Sequence, residues 1–200
     1  MTICMHMIFQ KNYNKVIRSI LIGVLAFLFV GCNYIENNKY KRLVKREYGR
    51  ILDLSWPGYL VLSDTIISNY QLSKPITIVS CIDDRLCTDC FAKYLHVAEQ
   101  FVNKFQSEEV QYVCITHSKP VEEIQESLVL ADLDSTKVMV VYDYNDLYLK
   151  RNRIEKVQSG INVFLIDKDH RILLVGDPIR SRTIYELYKT QIETILNTDK

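Results

Sequence analysis

A continuous apolar run, "ITIVSCI" at residues 76–82, leads through a short polar loop into a Cys-x-x-Cys pair, Cys87 and Cys90. A β-branched run of this length without polar alternation predicts a strand that is buried on both faces of a sheet. After the pair, apolar side chains recur every three or four positions, which predicts an amphipathic helix. The core face of this helix is predicted to carry Phe91, Leu95, Ala98, Val102 and Phe105.

The rest of the chain repeats this alternation of buried strands and helices. Such an order predicts an α/β fold with a central, mixed sheet covered by helices on both faces and a terminal hairpin as its antiparallel edge. The further predicted strands lie at 110–117 and 137–144, the helices at 120–133, 145–157 and 181–196, and the hairpin "INVFLI"/"RILLVG" turns across Asp167–His170.

The last predicted helix has its own start signal and apolar face. Ser181 is a plausible N-cap, because a serine hydroxyl can accept a hydrogen bond from a first-turn N–H group. The residues predicted to face inward are Ile184, Leu187, Tyr188, Ile192 and Ile195.

The N-terminus has the pattern of an export signal. Three basic residues precede the apolar run "SILIGVLAFLFVGC", and the first acidic residue is Glu36. A positive segment followed by a short apolar run is typical of a secretory signal. The ending "LFVGC" resembles the lipobox of bacterial lipoproteins, which implies cleavage before Cys32 and lipidation of that cysteine. We therefore expect a protein of the bacterial cell envelope, anchored to the lipid bilayer through Cys32 and facing the periplasm.

Three segments follow from these patterns. Residues 1–31 are the expected signal peptide, 32–74 a tether with a short N-terminal extension, and 75–200 the α/β domain. Within the extension, "YLVLSD" and "TIISNYQL" predict two short strands or a hairpin. An earlier helix is predicted to place Tyr40, Leu43, Val44, Tyr48 and Ile51 on one face.

Composition excludes one broad class of partner. The formal net charge is +1, with 25 basic and 24 acidic residues, so the basic excess of a nucleic-acid-binding domain is absent. The cysteines are then the main candidates for functional residues, because thiols outside the cytoplasm can be oxidised.

The spacing of Cys87 and Cys90 leaves three readings open: a redox pair, a structural disulfide or half of a metal site. Residues three apart on a helix are neighbours on one face. The first cysteine also lies where unpaired N–H groups and the helix dipole favour a thiolate, the reactive form. Cys87 is therefore the expected exposed nucleophile, and Cys90 the more buried resolving thiol.

The residues around the pair act in opposite directions. Arg85 and Lys93 favour a thiolate, whereas Asp89 between the cysteines opposes it. Thr88 lies between the two cysteines, and Leu86 immediately precedes Cys87.

Together these features resemble the extracytoplasmic TlpA/ResA-like thiol-disulfide oxidoreductases of the thioredoxin fold. The resemblance covers residues 75–196 and rests on the strand–Cys-x-x-Cys–helix unit, an inserted helix and strand, and the "FLIDKDHRILLVGDP" hairpin. It implies protein disulfides as substrates, a membrane electron donor and no bound cofactor. It also implies that Cys87 attacks and Cys90 resolves, with reduction or isomerisation more favoured than oxidation.

Three positions depart from the family pattern. Leu86 replaces an aromatic residue, Cys81 replaces a buried acid, and Ile161, after Gly160, replaces a cis-proline. A thioredoxin-fold binding module without catalysis therefore stays open. So does a copper or zinc carrier using Cys81, Cys87 and Cys90.

The other cysteine and histidine candidates are assigned structural or surface roles. Cys114 lies inside an apolar strand and is predicted to be inert core. His117, His170 and His96 are predicted to be structural or solvated. A peroxidase reading is weaker, because the usual Pro-x-x-x-Thr-x-x-Cys context is absent.

Overall fold

The computed structural model describes residues 41–42, 44–55, 59–62, 64–68, 72, 74–82, 86–105, 108–117, 119–154 and 162–198. The chain divides into two compact units, Met1–Arg46 and Glu47–Lys200. In the first, residues 41, 42 and 44–46 are helical. The second contains every strand described below. No helix of the described residues is long and apolar enough to cross a membrane.

The second unit is built on one seven-stranded mixed sheet. Its strands are β1 (Tyr59–Val61), β2 (Ile66–Ser68), β3 (Ile76–Cys81), β4 (Val110–Thr116), β5 (Val138–Tyr142), β6 (Val163–Ile166) and β7 (Ile172–Val175). Their order across the sheet is β2-β1-β5-β4-β3-β6-β7. β3, β4 and β5 are parallel, whereas β6 and β7 are antiparallel neighbours beyond β3. The predicted mixed sheet with an antiparallel terminal hairpin is confirmed, and β1 pairs with β2 as the predicted hairpin.

The described residues of the second unit form four α-helices beside the sheet: α1 (Thr88–Asn103), α2 (Val121–Ala131), α3 (Leu147–Arg151) and α4 (Arg182–Thr198). The main core joins α1, α2 and α4 to the sheet face that carries Ile76, Ile78, Tyr112 and Cys114. Alternate strand residues such as Val79 and Val113 are fully buried as well, so both faces of the sheet are covered.

The predicted core face of α1 is largely confirmed. Phe91, Leu95, Ala98 and Val102 are buried, while Phe105 lies just beyond the helix end and is half-buried. On α4, Tyr188 and Ile192 are buried, and the Ser181 hydroxyl accepts from the Ile184 N–H at 3.5 Å as a cap. The predicted inward position of Leu187 is wrong, because its side chain is 50% exposed. α4 buries only a narrow stripe, and Leu187 lies beside that stripe.

The prediction for the earlier helix is also wrong at its end. Tyr48 is 65% exposed and Ile51 57% exposed, whereas Glu47 is buried. The helix ends at Glu47, and Gly49 turns the chain at a φ of 77°. From there the backbone is extended, so helical spacing no longer applies: Ile51 forms an antiparallel bridge to Arg171. Tyr40 and Leu43 lie outside the described residues.

α3 is much shorter than the predicted helix at 145–157. Asn145 and Asp146 adopt left-handed conformations, with φ of 64° and 59°, and form a 3-10 turn before the helix. A further left-handed residue, Arg153, follows its end. Left-handed residues cannot continue a right-handed helix. His170, in the turn between β6 and β7, also has a positive φ, 60°.

Candidate functional site: a disulfide at the start of α1

The Cys-x-x-Cys pair lies at the carboxyl edge of the parallel strands, where β3 runs towards α1. Cys87 is the N-cap of α1, and its Sγ accepts a hydrogen bond from the Cys90 N–H at 3.2 Å. The two cysteines are joined as a disulfide with their Cα atoms 5.1 Å apart. The cap, the disulfide and the first helical turn thus form one unit.

Both cysteines are exposed. Cys90 is therefore not buried, and its greater burial relative to Cys87 stays a prediction. Cys90 directly precedes the first buried residues of α1, Phe91 and Ala92, and lies one helical turn before the buried Tyr94. The disulfide therefore joins two exposed residues.

The nearest neighbours of the pair are described in part. Asp89 is exposed in the first turn, and Lys93 is exposed one turn later. Leu86 and Thr88 are half-buried, and the Thr88 carbonyl accepts from the Ser127 hydroxyl at 3.3 Å, which holds α2 beside the pair. Arg85, Gly160 and Ile161 lie outside the described residues.

Cys81 does not join the disulfide. It is half-buried at the end of β3. In β3, Ile76 and Ile78 face the α1 core, so the alternation of a strand turns Cys81 to the opposite face. Its thiol there contributes to raising the pKa of the buried Tyr148, for which burial is the main cause.

The metal reading needs a cluster of ligands that the described residues do not provide. Among them, no group of three or more His, Cys, Asp or Glu side chains is arranged to hold a metal ion. Cys114 is fully buried in β4, and burial raises the pKa of its thiol well above the usual value. His96 is exposed beside Gln100, and the His117 Nε2 lies 3.4 Å from the Asp146 carboxylate.

Sequence analysis missed a buried polar cluster beneath α1. The Tyr94 hydroxyl lies 2.7 Å from the Tyr112 hydroxyl and 3.0 Å from the Ser80 hydroxyl. Asp177, which is 6% exposed, adds a carboxylate next to Tyr94. The only sequence signal is an aspartate directly after the glycine that ends the last strand, within "VGDP".

Comparison with solved structures identifies the class of fold. A mutant of PrxQ from Xylella fastidiosa matches with a TM-score of 0.54 and 13% identity, covering 72% of this chain and 96% of that one. The thioredoxin domain of a thiol-disulfide oxidoreductase from Bacteroides vulgatus gives a TM-score of 0.48 at 13% identity, with 70% and 96% covered. A thioredoxin-like protein from Bacteroides caccae gives 0.43 at 13% identity, with 79% and 56% covered. No protein-family model and no curated protein matches the sequence.

The chain therefore has a thioredoxin-like fold, with a Cys-x-x-Cys disulfide at the start of a helix. α2 and β5 lie between β4 and α3, which is the insertion on which the resemblance to TlpA/ResA-like proteins partly rests.

Proposed function

We propose that this protein is a membrane-tethered thiol-disulfide oxidoreductase that reduces or isomerises protein disulfides through Cys87 and Cys90. One observation carries the proposal: an exposed disulfide closes the first turn of α1, with Cys87 as its N-cap. A disulfide with a purely structural role can be buried, whereas a disulfide that reacts with another protein must be exposed.

The reduced pair supplies the chemistry. The Cys87 thiolate attacks one sulfur of a substrate disulfide, the substrate S–S bond breaks, and the departing sulfur takes up a proton. Cys90 then loses its proton and attacks Cys87, which releases the second substrate thiolate for protonation. Two electrons pass from the cysteine pair to the substrate. A membrane dithiol donor would restore the reduced pair by the same exchange in reverse.

The anchor and the compartment are part of the proposal. The lipobox-like ending at Cys32 and the export pattern before it support attachment to a bacterial envelope membrane with the domain facing the periplasm. In that compartment disulfides persist, so substrates are at hand. Cys32→Ala should abolish incorporation of a labelled fatty acid and move the protein out of the membrane fraction. Unchanged labelling of Cys32→Ala would refute the anchor at this residue.

The metal-carrier alternative has less support than the redox function. Cys81 faces away from α1, on which Cys90 lies, and the described residues offer no cluster of three ligands. The binding-module alternative depends on Ile161, which lies outside the described residues. The redox experiment distinguishes this alternative from the oxidoreductase.

The experiment equilibrates the full-length protein in detergent with glutathione buffers, then identifies each thiol by alkylation and mass spectrometry. Cys87 and Cys90 should interconvert together, while Cys81 and Cys114 stay reduced. A midpoint of about −270 mV would indicate a reductant and about −120 mV an oxidant. Failure of the pair to interconvert would favour the binding module.

Turnover of a protein disulfide tests the roles of the two cysteines. Cys87→Ser should abolish it, and Cys90→Ser should accumulate a mixed disulfide with substrate. Cys81→Ser is the matched control and should keep activity within about twofold, because its thiol lies on the other face of the sheet. Turnover retained by Cys87→Ser would refute the proposed mechanism.

A further inference from the structure

A cluster of hydroxyl groups lies in the apolar core one helical turn below Cys90. Tyr94 of α1 contacts Ser80 of β3 and Tyr112 of β4 through its hydroxyl, at 3.0 and 2.7 Å. All three side chains are buried. Long side chains on a helix lean towards its N-terminus, so the Tyr94 hydroxyl lies under the first turns of α1.

Asp177 is the only carboxylate facing the three hydroxyl groups in the described part of the core. It directly follows Gly176, whose N–H donates to the Val163 carbonyl at 2.8 Å. Val163 in turn pairs with Ser80 near the carboxyl end of β3. Asp177 therefore lies at the same edge of the sheet as the disulfide, between β7 and α4.

The contacts of Asp177 support a buried charge. One oxygen accepts from the Ile179 N–H at 2.8 Å, and the other lies 3.4 Å from the Arg180 Nε. The Tyr94 hydroxyl also stabilises the carboxylate. Ser80 and Tyr112 can both donate to Tyr94, and Tyr94 can then turn its own proton to Asp177. In this arrangement Ser80 and Tyr112 donate to the Tyr94 oxygen, and only the Tyr94 proton is directed to Asp177.

We propose that Asp177 is a positioning residue for the Cys87–Cys90 pair, whose buried carboxylate disfavours negative charge at the start of α1 and so raises the pH at which the reduced pair becomes reactive. The inference rests on the proposed redox function. A negative charge in the core acts over a longer distance than one in water, because the surrounding dielectric is low.

The other groups around Asp177 do not remove this effect. Arg180, in the same turn, is 53% exposed, so water screens much of its charge. From β4, Cys114 and Tyr112 face the carboxylate as neutral groups, because burial raises the pKa of each well above its usual value. From α1, Tyr94 is neutral for the same reason. Burial also raises the pKa of Asp177 itself, and its hydrogen bonds oppose that rise.

The experiment measures the pH dependence of alkylation of Cys87 and Cys90 in the reduced full-length protein. Asp177→Asn removes the charge and keeps the shape. Asp177→Ser removes the charge and keeps an oxygen that can accept from the Ile179 N–H, in case the amide impairs folding. Each should lower the pH of half-maximal alkylation by at least about half a unit, which is about a threefold higher rate at fixed lower pH.

Asp134→Asn is the matched control. Asp134 closes the same kind of turn, accepting from the Thr136 N–H at 2.9 Å, but it precedes β5 and lies at the opposite edge of the sheet. Its profile should equal that of the wild type. Because a purely structural role would change stability without moving the alkylation profile, urea unfolding of each variant is recorded in parallel.

The outcomes separate this inference from the proposed function. A wild-type pair that interconverts, with lower alkylation midpoints in both folded Asp177 variants, supports the inference. A wild-type pair that interconverts, with Asp177 profiles equal to the wild type or to Asp134→Asn, overturns it and leaves the redox function standing. A wild-type pair that does not interconvert overturns both.

Discussion

The N–H of Cys90 donates to the Sγ of Cys87 at 3.2 Å, so the first cysteine caps the helix that carries the second. In the reduced protein this hydrogen bond and the N-terminal end of α1 favour negative charge on Cys87. Cys90 lies inside the helix and lacks that position. Both cysteines are exposed, so we expect this electrostatic difference to favour Cys87 as the first thiol to attack.

The first prediction is an order of thiol reactivity. With limiting alkylating reagent on the reduced full-length protein, Cys87 should react first and the half-buried Cys81 later. Cys114 should react only through opening of the fold, because it is fully buried and its thiol pKa is raised. Mass spectrometry of digests over time measures the order. Modification of Cys114 as fast as Cys87 without denaturant would contradict the structure.

The second prediction concerns the charges beside the pair. Asp89→Asn should raise the alkylation rate of Cys87 about two- to fivefold at low salt, because it removes a negative charge next to the forming thiolate. Lys93→Gln should lower it by a similar factor. Both effects should shrink at 1 M salt, since exposed charges are screened there. Asp169→Asn, an exposed change in the β6–β7 turn at the other edge of the sheet, should leave the rate unchanged.

Most of the fold could be predicted because its central elements carry simple patterns. β3 reads as buried because "ITIVSC" has no polar alternation, and α1 reads as a helix because Phe91, Leu95 and Ala98 recur at helical spacing. The end of the earlier helix could not be read in the same way. Its apolar period continues through Tyr48, but Gly49 and pairing with β7 override it.

Only the features of the site that join residues close together in the sequence could be predicted. The three-residue spacing predicts that Cys87 and Cys90 can approach each other at the start of a helix, and the structure adds the Cys87 cap. The contact between Tyr94 and Asp177 depends on how α1 and the end of β7 meet across the core. Helical spacing places Tyr94 on the inner face of α1 without showing which polar group its hydroxyl reaches.

The third prediction tests what holds the N-terminal extension on the sheet. The buried Asn152 side chain accepts from the Asp53 N–H at 2.7 Å and donates to the Asp53 carbonyl at 2.8 Å. Asn152→Ala would remove both hydrogen bonds to the exposed Asp53, which should cost about 1–2 kcal/mol of unfolding free energy. Urea unfolding measures the loss.

Asn103→Ala is the control for that loss. Asn103 is exposed, and its side chain accepts a hydrogen bond only from the Lys137 Nζ, at 2.8 Å, among the described contacts. Its removal should change the unfolding free energy by less than about 0.5 kcal/mol. Equal losses for Asn152→Ala and Asn103→Ala would show that the paired contacts to Asp53 do not hold the extension.

The fourth prediction is that Asp143→Asn and Asp134→Asn change the free energy of unfolding with opposite dependence on pH. Burial raises the pKa of Asp143, although hydrogen bonds from the Tyr148 and Leu147 N–H groups oppose the rise. A folded-state pKa above the unfolded value contributes stability at low pH that is lost as the pH rises through the folded pKa. Asp143→Asn has no charge to bury. It should therefore gain stability relative to the wild type between about pH 3 and pH 7.

Asp134 should behave in the reverse way. The hydrogen bonds from Thr136 lower the pKa of its carboxyl, so its contribution is present above the unfolded pKa and is lost as the pH falls through the folded pKa. Asp134→Asn should thus lose stability relative to the wild type at pH 7, and the difference should shrink as the pH falls towards about 3. Urea unfolding of the wild type and both variants at the two pH values measures the differences. Curves that stay parallel across pH would mean that neither carboxyl changes its pKa on folding.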